Sequence, residues 1–262
     1  MTSTYKELYG LIGLRLGHSF SQDFFNRKFE AENIDARYVN FEIDNIEAFK
    51  TIVSDHPNLK GLNVTIPYKQ QVMHLLDEID PKAAEIGAVN VIKFIRDGRK
   101  LTLKGYNSDF VGFRDSIEPL LGEGHRRALI LGTGGASRAV DFALKELGIS
   151  TTFVSRSSRP GILGYDELTP EVMAANTIIV NTTPLGMYPD TERCPDIPYE
   201  LLTPEHICYD LIYNPDITMF MRQSSRYGAV VKNGLEMLLL QAFESWHCLL
   251  YTSPSPRDRT RS

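Results

Sequence analysis

Polar side chains stand at the ends of several segments that the sequence predicts to be strands. The stretch GLNVTIPYK at Gly61–Lys69 alternates polar and apolar residues before a proline, which is typical of a strand that stops there. This alternation places Asn63 and Thr65 on one face, and Lys69 follows the strand end. An amide, a hydroxyl and an ammonium group close together could hydrogen-bond a small polar ligand.

Two serines open a predicted helix after the first strand. Ser19 and Ser21 belong to the segment GHSFS, which precedes a helix predicted from about residue 21 to residue 32. Serine at such a position commonly caps the helix. The two hydroxyls could also donate to the carboxylate of a ligand at the helix start.

Asn90 and Asp109 add an amide and a carboxylate at further strand ends, in the segments GAVN and GYNSD. Taken alone, each of these polar residues is more often a turn or a cap. Ligands bind at strand ends in open α/β sheets, however. Several such positions in one half of the chain therefore predict a polar cleft.

A glycine-rich turn joins a strand to a helix in the second half of the chain. Leu131 ends an apolar run, GTGG follows at 132–135, and a helix is predicted from there. Gly132 permits a tight turn, Gly134 lets backbone amides approach a pyrophosphate, and the helix start attracts anions. Ser137 stands where the third glycine of the dinucleotide fingerprint would fall, so the match is partial. We predict a dinucleotide site, and a glycine-lined turn without a ligand is the alternative.

The residues after the next strand bear on the choice of cofactor. An NAD site normally places an acid about 20 residues after the glycine turn, where it accepts from the ribose 2′-hydroxyl. No acid occurs between Val154 and Asp166. Hydroxyl donors and two guanidinium groups stand there instead, and they suit the 2′-phosphate of NADP. These residues are Ser155, Arg156, Ser157 and Arg159. A solvated basic turn is the alternative.

The elements that must position these residues alternate between strand and helix. In the first half we predict strands at 9–12, 36–43 and 59–66, helices at 21–32, 45–54 and 68–76, and a hairpin of 89–95 and 101–106. After a helix at 109–121, short apolar strands are predicted at 127–131, 151–154, 177–180, 207–211 and 229–231. This alternation predicts an α/β fold of two domains with parallel strands and a boundary near residues 106–109. The acidic residues Asp77, Glu78 and Asp80 are interpreted as a solvated helix end.

Length and composition exclude several classes of protein. The 262 residues are 42% hydrophobic and 23% charged, which is typical of a globular chain. A net charge of −5 does not favour nucleic acid or an anionic membrane as a partner, and no apolar run approaches the roughly 20 residues of a membrane span. The three cysteines lack CxxC spacing, which predicts reduced thiols and a cytoplasmic location. The six histidines show no HxxH or HxxxH pairing, so we predict no metal site.

The segment 248–262 differs from the helix predicted before it. Apolar residues recur at helical spacing from Gly234 to His247, after which Pro254 and Pro256 forbid a helix and arginines accumulate. A disordered basic tail is one explanation. Because CLLYTSPSPRD resembles the translated end of a sequencing-library adapter, we expect residues 248–262 to be non-native.

A series of motifs, in order along nearly the whole chain up to His247, resembles the shikimate dehydrogenase family. In the first half these are YGLIGLRLGHSFS, GLNVTIPYK, IGAVN and GYNSDFVGF. In the second half they are LGTGGASRA, NTTPLGM, DLIYNP and NGLEMLLLQA. The resemblance implies a reversible, NADP-linked interconversion of 3-dehydroshikimate and shikimate in aromatic amino acid biosynthesis.

The resemblance also implies how the chain is organised. A substrate-binding and catalytic α/β domain is expected at 1–108, with the C-terminal helix at 234–247 packing back on it. A Rossmann-like, doubly wound NADP domain is expected at 109–233. Lys69 and Asp109 match the catalytic pair of the family. The implied substrate contacts are Ser19, Ser21, Asn63, Thr65, Asn90, Tyr213 and Gln241. The implied cofactor contacts are Gly132, Gly134, Gly135, Ala136, Ser155, Arg156, Ser157, Arg159 and Gly234.

Four positions depart from the usual family pattern. Gln22 replaces a proline, Phe25 a histidine, Ser108 a threonine and Ser155 an asparagine. None of these changes removes a catalytic group, although Ser155 weakens the match to an NADP site.

Two alternatives remain open at this point. A quinate/shikimate dehydrogenase that uses NAD is disfavoured by the missing acid after Val154. A non-catalytic regulator that binds NADP or a metabolite on the same fold is disfavoured by the presence of both Lys69 and Asp109. We expect a small-molecule substrate, a monomer or homodimer, and no nucleic-acid or membrane partner.

Overall fold

The computed structural model describes residues 5–17 and 19–251, and within these residues the chain forms two six-stranded sheets with accompanying helices. The chain divides into two compact units, one comprising the residues up to Ser108 and from Ala242 onward, the other Asp109–Gln241. The predicted α/β class is confirmed. None of the described helices is long and apolar enough to cross a membrane.

The first unit contains a mixed sheet. Its elements are β1 (Glu7–Gly13), α1 (Phe20–Ala31), β2 (Ala36–Glu42), α2 (Ala48–Asp55), β3 (Leu59–Val64), β4 (Glu78–Ile79), α3 (Pro81–Ile86), β5 (Val91–Asp97) and β6 (Lys100–Tyr106). The strand order is β2-β1-β3-β5-β6-β4, with β1 parallel to both β2 and β3. The strand β5 runs antiparallel to β3 and to β6. The two-residue turn at Gly98-Arg99 closes the hairpin predicted at this point.

The second unit contains a parallel sheet. Its elements are α4 (Asp109–Ile117), β7 (Arg127–Leu131), α5 (Gly135–Glu146), β8 (Ser150–Ser155), β9 (Ile162–Gly164), α6 (Pro170–Ala175), β10 (Ile178–Asn181), β11 (Ile207–Asp210), α7 (Met219–Ser225), β12 (Val230–Lys232) and α8 (Leu235–Leu250). The order β12-β11-β10-β7-β8-β9 reverses direction between β7 and β10. That reversal is the topological switch point of a doubly wound sheet, beside which ligands bind. The boundary between the two units falls within α8.

Both faces of the first sheet are buried, because successive side chains of a strand point to opposite faces. Along β1, Leu8 and Ile12 belong to a core that includes α2, whereas Tyr9 and Leu11 belong to a second core. This second core is aromatic and contains residues of α1 and of the C-terminal part of α8. Helices therefore cover both faces of this sheet.

Trp246 of α8 lies at the centre of the second core. It is 5% exposed, and its ring centroid lies 5.9 Å from that of Phe25 and 5.2 Å from that of Phe29. Phe25 in turn stacks on Tyr38 at 4.6 Å. Phe25, which replaces the usual family histidine, is thus part of an apolar cluster rather than of a polar site.

Two predictions about local structure were wrong. The segment 68–76 was expected to be a helix, but a turn leads into a 3₁₀ helix at Gln71–Leu75. Val89 N donates to Lys69 O (2.8 Å), while Met73 N donates to Gln70 O (3.3 Å) in the i→i+3 pattern of a 3₁₀ helix rather than to Lys69 O. Asp77, Glu78 and Asp80 do not form a helix end, although Asp77 and Glu78 are exposed. Asp77 accepts from Leu103 N (2.7 Å), Glu78 begins β4, and Asp80 caps the start of α3.

The last helix also differs from the prediction. It was expected at 234–247, and it extends to Leu250. Cys248 and Leu249, which were assigned to the non-native tail, are buried in the same core as Trp246. The rest of that expected tail, residues 252–262, lies outside the described residues, as does His18.

We predict that the indole of Trp246 is a main contributor to the stability of the first unit. Replacing Trp246 by alanine removes a buried aromatic side chain and should lower the free energy of unfolding by about 3–5 kcal/mol. Phe243→Ala is the matched control on the same helix, because Phe243 is 51% exposed, and it should cost less than about 1 kcal/mol. The measurement is urea unfolding followed by circular dichroism. Tryptophan fluorescence cannot be used, because Trp246 is the only tryptophan and the substitution removes it. Equal losses in the two variants would contradict this packing.

Candidate active site

The polar residues predicted in the first half of the chain gather at one edge of the first sheet. The parallel strands β1, β2 and β3 end at this edge, antiparallel β5 begins there, and β6 ends there. The residues at this edge are Ser19, Ser21, Thr65, Lys69, Asn90, Asn107 and Ser108, and Asp109 follows directly. The topology therefore brings together residues that are far apart in the sequence.

Lys69 lies in a turn whose backbone is anchored on both sides. Tyr68 N donates to Thr65 O (3.0 Å), and the hydroxyl of Tyr68 donates to Ile43 O (2.6 Å). Val89 N donates to Lys69 O (2.8 Å). Tyr68 is buried while the side chain of Lys69 is half-buried. These bonds restrict the region that the ammonium group of Lys69 can reach.

Asn90 joins the start of β5 to the end of β6. Its Oδ1 accepts from Ser108 N (2.7 Å), and its Nδ2 donates to the Ser108 hydroxyl (3.0 Å). Its backbone carbonyl accepts from Val64 N (2.9 Å) at the end of β3. Three strands are thus tied together immediately before Asp109. Ser108, the residue that replaces a threonine, is fully buried and supplies the hydroxyl for this contact.

Asn63 is engaged inside the protein. It is 7% exposed, its Oδ1 accepts from the hydroxyl of Tyr38 (2.8 Å), and its Nδ2 donates to Asn90 O (3.3 Å) and to Ser245 Oγ (2.5 Å). A carbonyl can only accept, so the contact with Asn90 O determines which way the amide is turned. Both amide hydrogens are used, and Asn63 therefore stabilises this edge of the sheet through buried hydrogen bonds. Its expected contact with substrate stays a prediction.

The two predicted serines differ in their partners. Ser19 occupies the N-cap position of α1, yet its side chain makes no capping hydrogen bond. The hydroxyl of Ser21 forms a hydrogen bond with Tyr38. Burial raises the pKa of the Tyr38 phenol, and this hydrogen bond lowers it by a smaller amount. Ser19 therefore does not cap the helix through its side chain, which is the common role of serine at this position.

Glu42 holds the loop that leads to these serines, a role that the sequence did not reveal. Its Oε1 accepts from the successive amides of Leu16 (2.8 Å) and Gly17 (3.2 Å). These two bonds, more than the charge of Arg15, lower the pKa of the Glu42 carboxyl. An acid at the end of β2 is thus a cap for the neighbouring loop.

In the second unit, Asp109 and Gln241 lie close together on packed helices. Asp109 is the first residue of α4 and is buried. One turn later, a Cβ at Gly112 would lie 2.8 Å from Gln241 Cβ and 2.7 Å from Met237 O, so α8 approaches α4 closely at this glycine. Residues three apart share a helix face, which places Gln241 within about one turn of Asp109.

The glycine turn has the geometry of a phosphate cradle. Gly132 has a φ of +111°, and a Cβ there would lie 2.7 Å from Thr182 Oγ1. Gly134 is the N-cap of α5, so the amides of Gly135 and Ala136 open the helix. Ser137 is fully buried and donates its hydroxyl to Gly134 O (2.7 Å). A serine thus replaces the third fingerprint glycine and braces the turn, and the cradle fits a pyrophosphate.

The basic segment follows β8, the strand that neighbours β7. Ser155 ends β8, and the backbone of Arg159 exchanges hydrogen bonds with that of Ile162 (3.0 and 2.8 Å). Arg156 lies near enough to Tyr165 for its charge to oppose the rise that burial causes in the pKa of that phenol. The parallel register of β7 and β8 places this segment beside the end of β7 that carries the glycine turn.

Two buried polar residues at the ends of central strands were not predicted from the sequence to be functional. Asn181 ends β10 and Asp210 ends β11, and both are fully buried. Burial raises the pKa of Asp210 to about 6, although three hydrogen bonds oppose the rise. The signal in the sequence is a polar residue directly after a buried apolar run, in the motifs NTTPLGM and DLIYNP.

Tyr213 and Gly234 belong to the same edge of the second sheet. Tyr213 lies in the loop after β11 and is 45% exposed. Gly234 N donates to Ile212 O (3.0 Å), and a Cβ at Gly234 would lie 2.0 Å from Leu211 O. Gly234 therefore permits the start of α8 to pack against this loop. Within the described residues, no group of three or more His, Cys, Asp or Glu side chains could hold a metal ion.

We predict that Asn63 supports the polar edge energetically. Asn63→Ala would leave the hydroxyl of Tyr38 buried without its acceptor, and should lower the free energy of unfolding by about 1–3 kcal/mol. Gln70→Ala is the control, because Gln70 is an exposed amide that makes no side-chain capping bond, and it should change stability by less than about 0.5 kcal/mol. Urea denaturation of both variants is the measurement, and an Asn63→Ala variant as stable as the control would refute the bracing role.

Comparison with known proteins identifies the family. The family model described as the shikimate dehydrogenase substrate binding domain matches residues 11–92. A relative named shikimate dehydrogenase (NADP(+)), from Methanosphaera stadtmanae, is 35% identical over 94% of this chain and 92% of its own. A crystal structure of shikimate dehydrogenase from Aquifex aeolicus is similar at 34% identity and a TM-score of 0.82, covering 95% of this chain and 94% of its own.

A further solved structure shares the whole architecture. Shikimate 5-dehydrogenase from Thermus thermophilus, in complex with NADP(H) and shikimate, is 28% identical with a TM-score of 0.81, and the match covers 96% of both chains. The matches extend over both units rather than the matched substrate-binding domain alone. The chain therefore belongs to the shikimate dehydrogenase family.

Proposed function

We propose that this protein is an NADP-dependent shikimate dehydrogenase, an oxidoreductase that reversibly reduces 3-dehydroshikimate to shikimate. The observation that carries the proposal is the polar edge of the first unit, where the anchored turn of Lys69 and the buried Asn90–Ser108 pair precede Asp109. Membership of the family supports the substrate and the direction of the chemistry.

The proposed chemistry needs a proton donor at the oxygen of the substrate carbonyl, where negative charge develops as hydride arrives at the carbon. The ammonium group of Lys69 hydrogen-bonds this oxygen, stabilises the developing alkoxide and delivers the proton. The carboxylate of Asp109 accepts from a substrate hydroxyl and balances the charge of the ammonium group. Bound NADPH supplies the hydride, and NADP⁺ and shikimate are the products.

The remaining polar residues orient the substrate. The hydroxyls of Ser19 and Ser21 suit the substrate carboxylate, and Tyr213 is proposed to add a further hydroxyl. Thr65, Asn90 and Gln241 are suited to the ring hydroxyls, each with an acceptor or a donor to match. Asn63 contributes through Asn90 and Tyr38, to which it is hydrogen-bonded.

The second unit is proposed to hold the cofactor. The turn at Gly132, Gly134, Gly135 and Ala136 suits the pyrophosphate, because its backbone amides open the helix α5. Glycine is needed at position 132, where a Cβ would be too close to Thr182. The segment Ser155–Arg159 suits the 2′-phosphate of NADP, because it offers cations and hydroxyls and no acid. Gly234 lets α8 start close to the loop of Tyr213.

The assignment of roles to parts of the chain is also proposed. Residues 1–108 with the C-terminal helix are proposed to bind substrate, and residues 109–233 to bind NADP. We propose that the protein acts in the cytoplasm, which is supported because Cys194, Cys208 and Cys248 form no disulfide bond within the described residues. We also propose that it is a monomer or homodimer. The net charge of −5 favours small-molecule partners over nucleic acid.

One assay tests the proposed activity. Purified protein is mixed with shikimate or quinate, each with NADP⁺ or NAD⁺, and the absorbance of the reduced nicotinamide is followed. We expect fastest reduction with shikimate and NADP⁺. A preference for quinate with NAD⁺ would indicate the alternative dehydrogenase, and binding of shikimate without reduction under any pairing would indicate a regulator.

The role of Lys69 is tested by removing its ammonium group. Lys69→Ala should lower kcat by about 10²–10⁴-fold with little change in KM, because the group acts mainly on the transition state. Lys50→Ala is the matched control, since Lys50 is exposed and pairs with Glu47 at the surface, and it should leave kcat unchanged. Turnover by Lys69→Ala at the rate of the control would eliminate Lys69 as the proton donor.

A further inference from the structure

The ends of β10 and β11 are joined by buried polar side chains. Asn181 and Asp210 are register partners in the two parallel strands, and Asn181 Nδ2 donates to Asp210 Oδ1 (3.0 Å). Both side chains are fully buried. A carboxylate in such a place costs free energy unless donors surround it, so its partners indicate why it is there.

The two oxygens of Asp210 serve different parts of the structure. Oδ1 accepts from Asn181 and from Ile212 N (3.1 Å), whereas Oδ2 accepts from the hydroxyl of Thr218 (2.6 Å). Thr218 is the N-cap of α7, and its Oγ1 also accepts from Met221 N (3.3 Å). Because donors approach both oxygens, only a side chain that accepts at both positions satisfies all of them.

On one side, Oδ1 holds the loop that follows β10. Asn181 Oδ1 accepts from the amide (3.0 Å) and the hydroxyl (2.7 Å) of Thr183. The neighbouring Thr182 donates to Leu131 O (2.7 Å) and lies against Gly132 of the glycine turn. Asp210 is thus connected, through Asn181, to the loop beside the phosphate cradle.

On the other side, Oδ1 holds the loop that carries Tyr213. Ile212 N donates to Asp210, and Ile212 O accepts from Gly234 N (3.0 Å) at the start of α8. Further along the same loop, Asn214 O accepts from Tyr188 N (3.2 Å). One oxygen atom is therefore linked by hydrogen bonds to two loops at the carboxyl edge of the sheet, next to the switch point between β7 and β10.

We propose that Asp210 is a positioning residue, whose Oδ1 holds the loop after β10 and the loop of Tyr213 in one arrangement for cofactor and substrate. The bond from Oδ2 to Thr218 serves the stability of α7. This inference rests on the proposed dehydrogenase function, since it concerns how that site is organised. If the two loops shift, the reaction rate falls even though no reacting group is lost, because a misplacement of about 1 Å can lower the rate about a hundredfold.

Three variants separate positioning from stability. Asp210→Ala removes both oxygens, and kcat/KM for shikimate should fall about 10–100-fold at a temperature where the variant is folded. Asp210→Asn keeps one acceptor, and its amide oxygen can face Asn181 and Ile212 while its amide nitrogen faces Thr218. Thr218→Val removes the bond to Oδ2 and the capping bond from Met221 N, and leaves both bonds to Oδ1. The last two variants should melt at lower temperature than the wild type yet keep kcat/KM within about threefold of it.

A purely structural role predicts a different pattern. Activity would then follow the melting temperature in all three variants, and kcat/KM of folded Asp210→Ala would equal that of Thr218→Val. That result would overturn the proposal, as would an inactive but folded Asp210→Asn. If Asp210→Ala does not fold, Asn181→Ala takes its place, because it removes the link from Oδ1 to the loop after β10 and leaves the bond from Thr218 to Oδ2. Its kcat/KM should be at least about tenfold below that of Thr218→Val, and equality would refute the proposal.

A binding measurement distinguishes this proposal from the proposed function. Wild-type protein that does not oxidise shikimate with NADP⁺ would refute the function. The dissociation constant of NADPH, measured by its fluorescence, then decides the role of Asp210 by itself. It should rise about tenfold in Asp210→Ala and remain unchanged in Thr218→Val, and equal constants in the two variants would overturn the positioning role.

Discussion

Buried hydrogen bonds at the ends of strands hold several of the loops that carry candidate functional residues. Asn90 ties Val64 and Ser108 together in the first unit, and Asp210 ties Asn181 and Ile212 together in the second. A buried polar group left without its partner costs about 1–3 kcal/mol, so each loop is confined to the arrangement in which these groups are paired. Reactive side chains such as that of Lys69 then depend on backbone positions that are already determined.

The direction of the strands concentrates these hydrogen bonds at one edge of each sheet. Parallel strands place their carboxyl ends together, and the antiparallel hairpin β5–β6 adds Asn90 and Ser108 to the same edge of the first sheet. In the second sheet the order of strands reverses between β7 and β10, which leaves the glycine turn beside the loop after β10. A ligand-binding crevice at such a reversal follows from the topology, and the glycine turn there suits a pyrophosphate.

Close approach of backbones limits which residues can stand at several positions. Gly112 lets α8 pack against α4 near Asp109, and Gly234 lets the same helix begin against Leu211. The C-terminal part of α8 belongs to the aromatic core of the first unit through Trp246. Replacement of the usual histidine by Phe25 fits this core, since its ring packs between Tyr38 and Trp246.

The sequence by itself determined the α/β class, the glycine turn and the family, because periodicity and motifs are local properties of the chain. It also located the strand ends near which Lys69, Asn90 and Asp109 lie. It also contained the signals of Asn181 and Asp210, as polar residues after apolar runs. Only the tertiary structure decided which groups are already hydrogen-bonded to other parts of the protein. Asn63 uses both amide hydrogens for Asn90 and Ser245, and the backbone carbonyl of Lys69 accepts from Val89. Such partners are up to 182 positions apart in the chain, and no local pattern specifies a hydrogen bond between segments that only folding brings together.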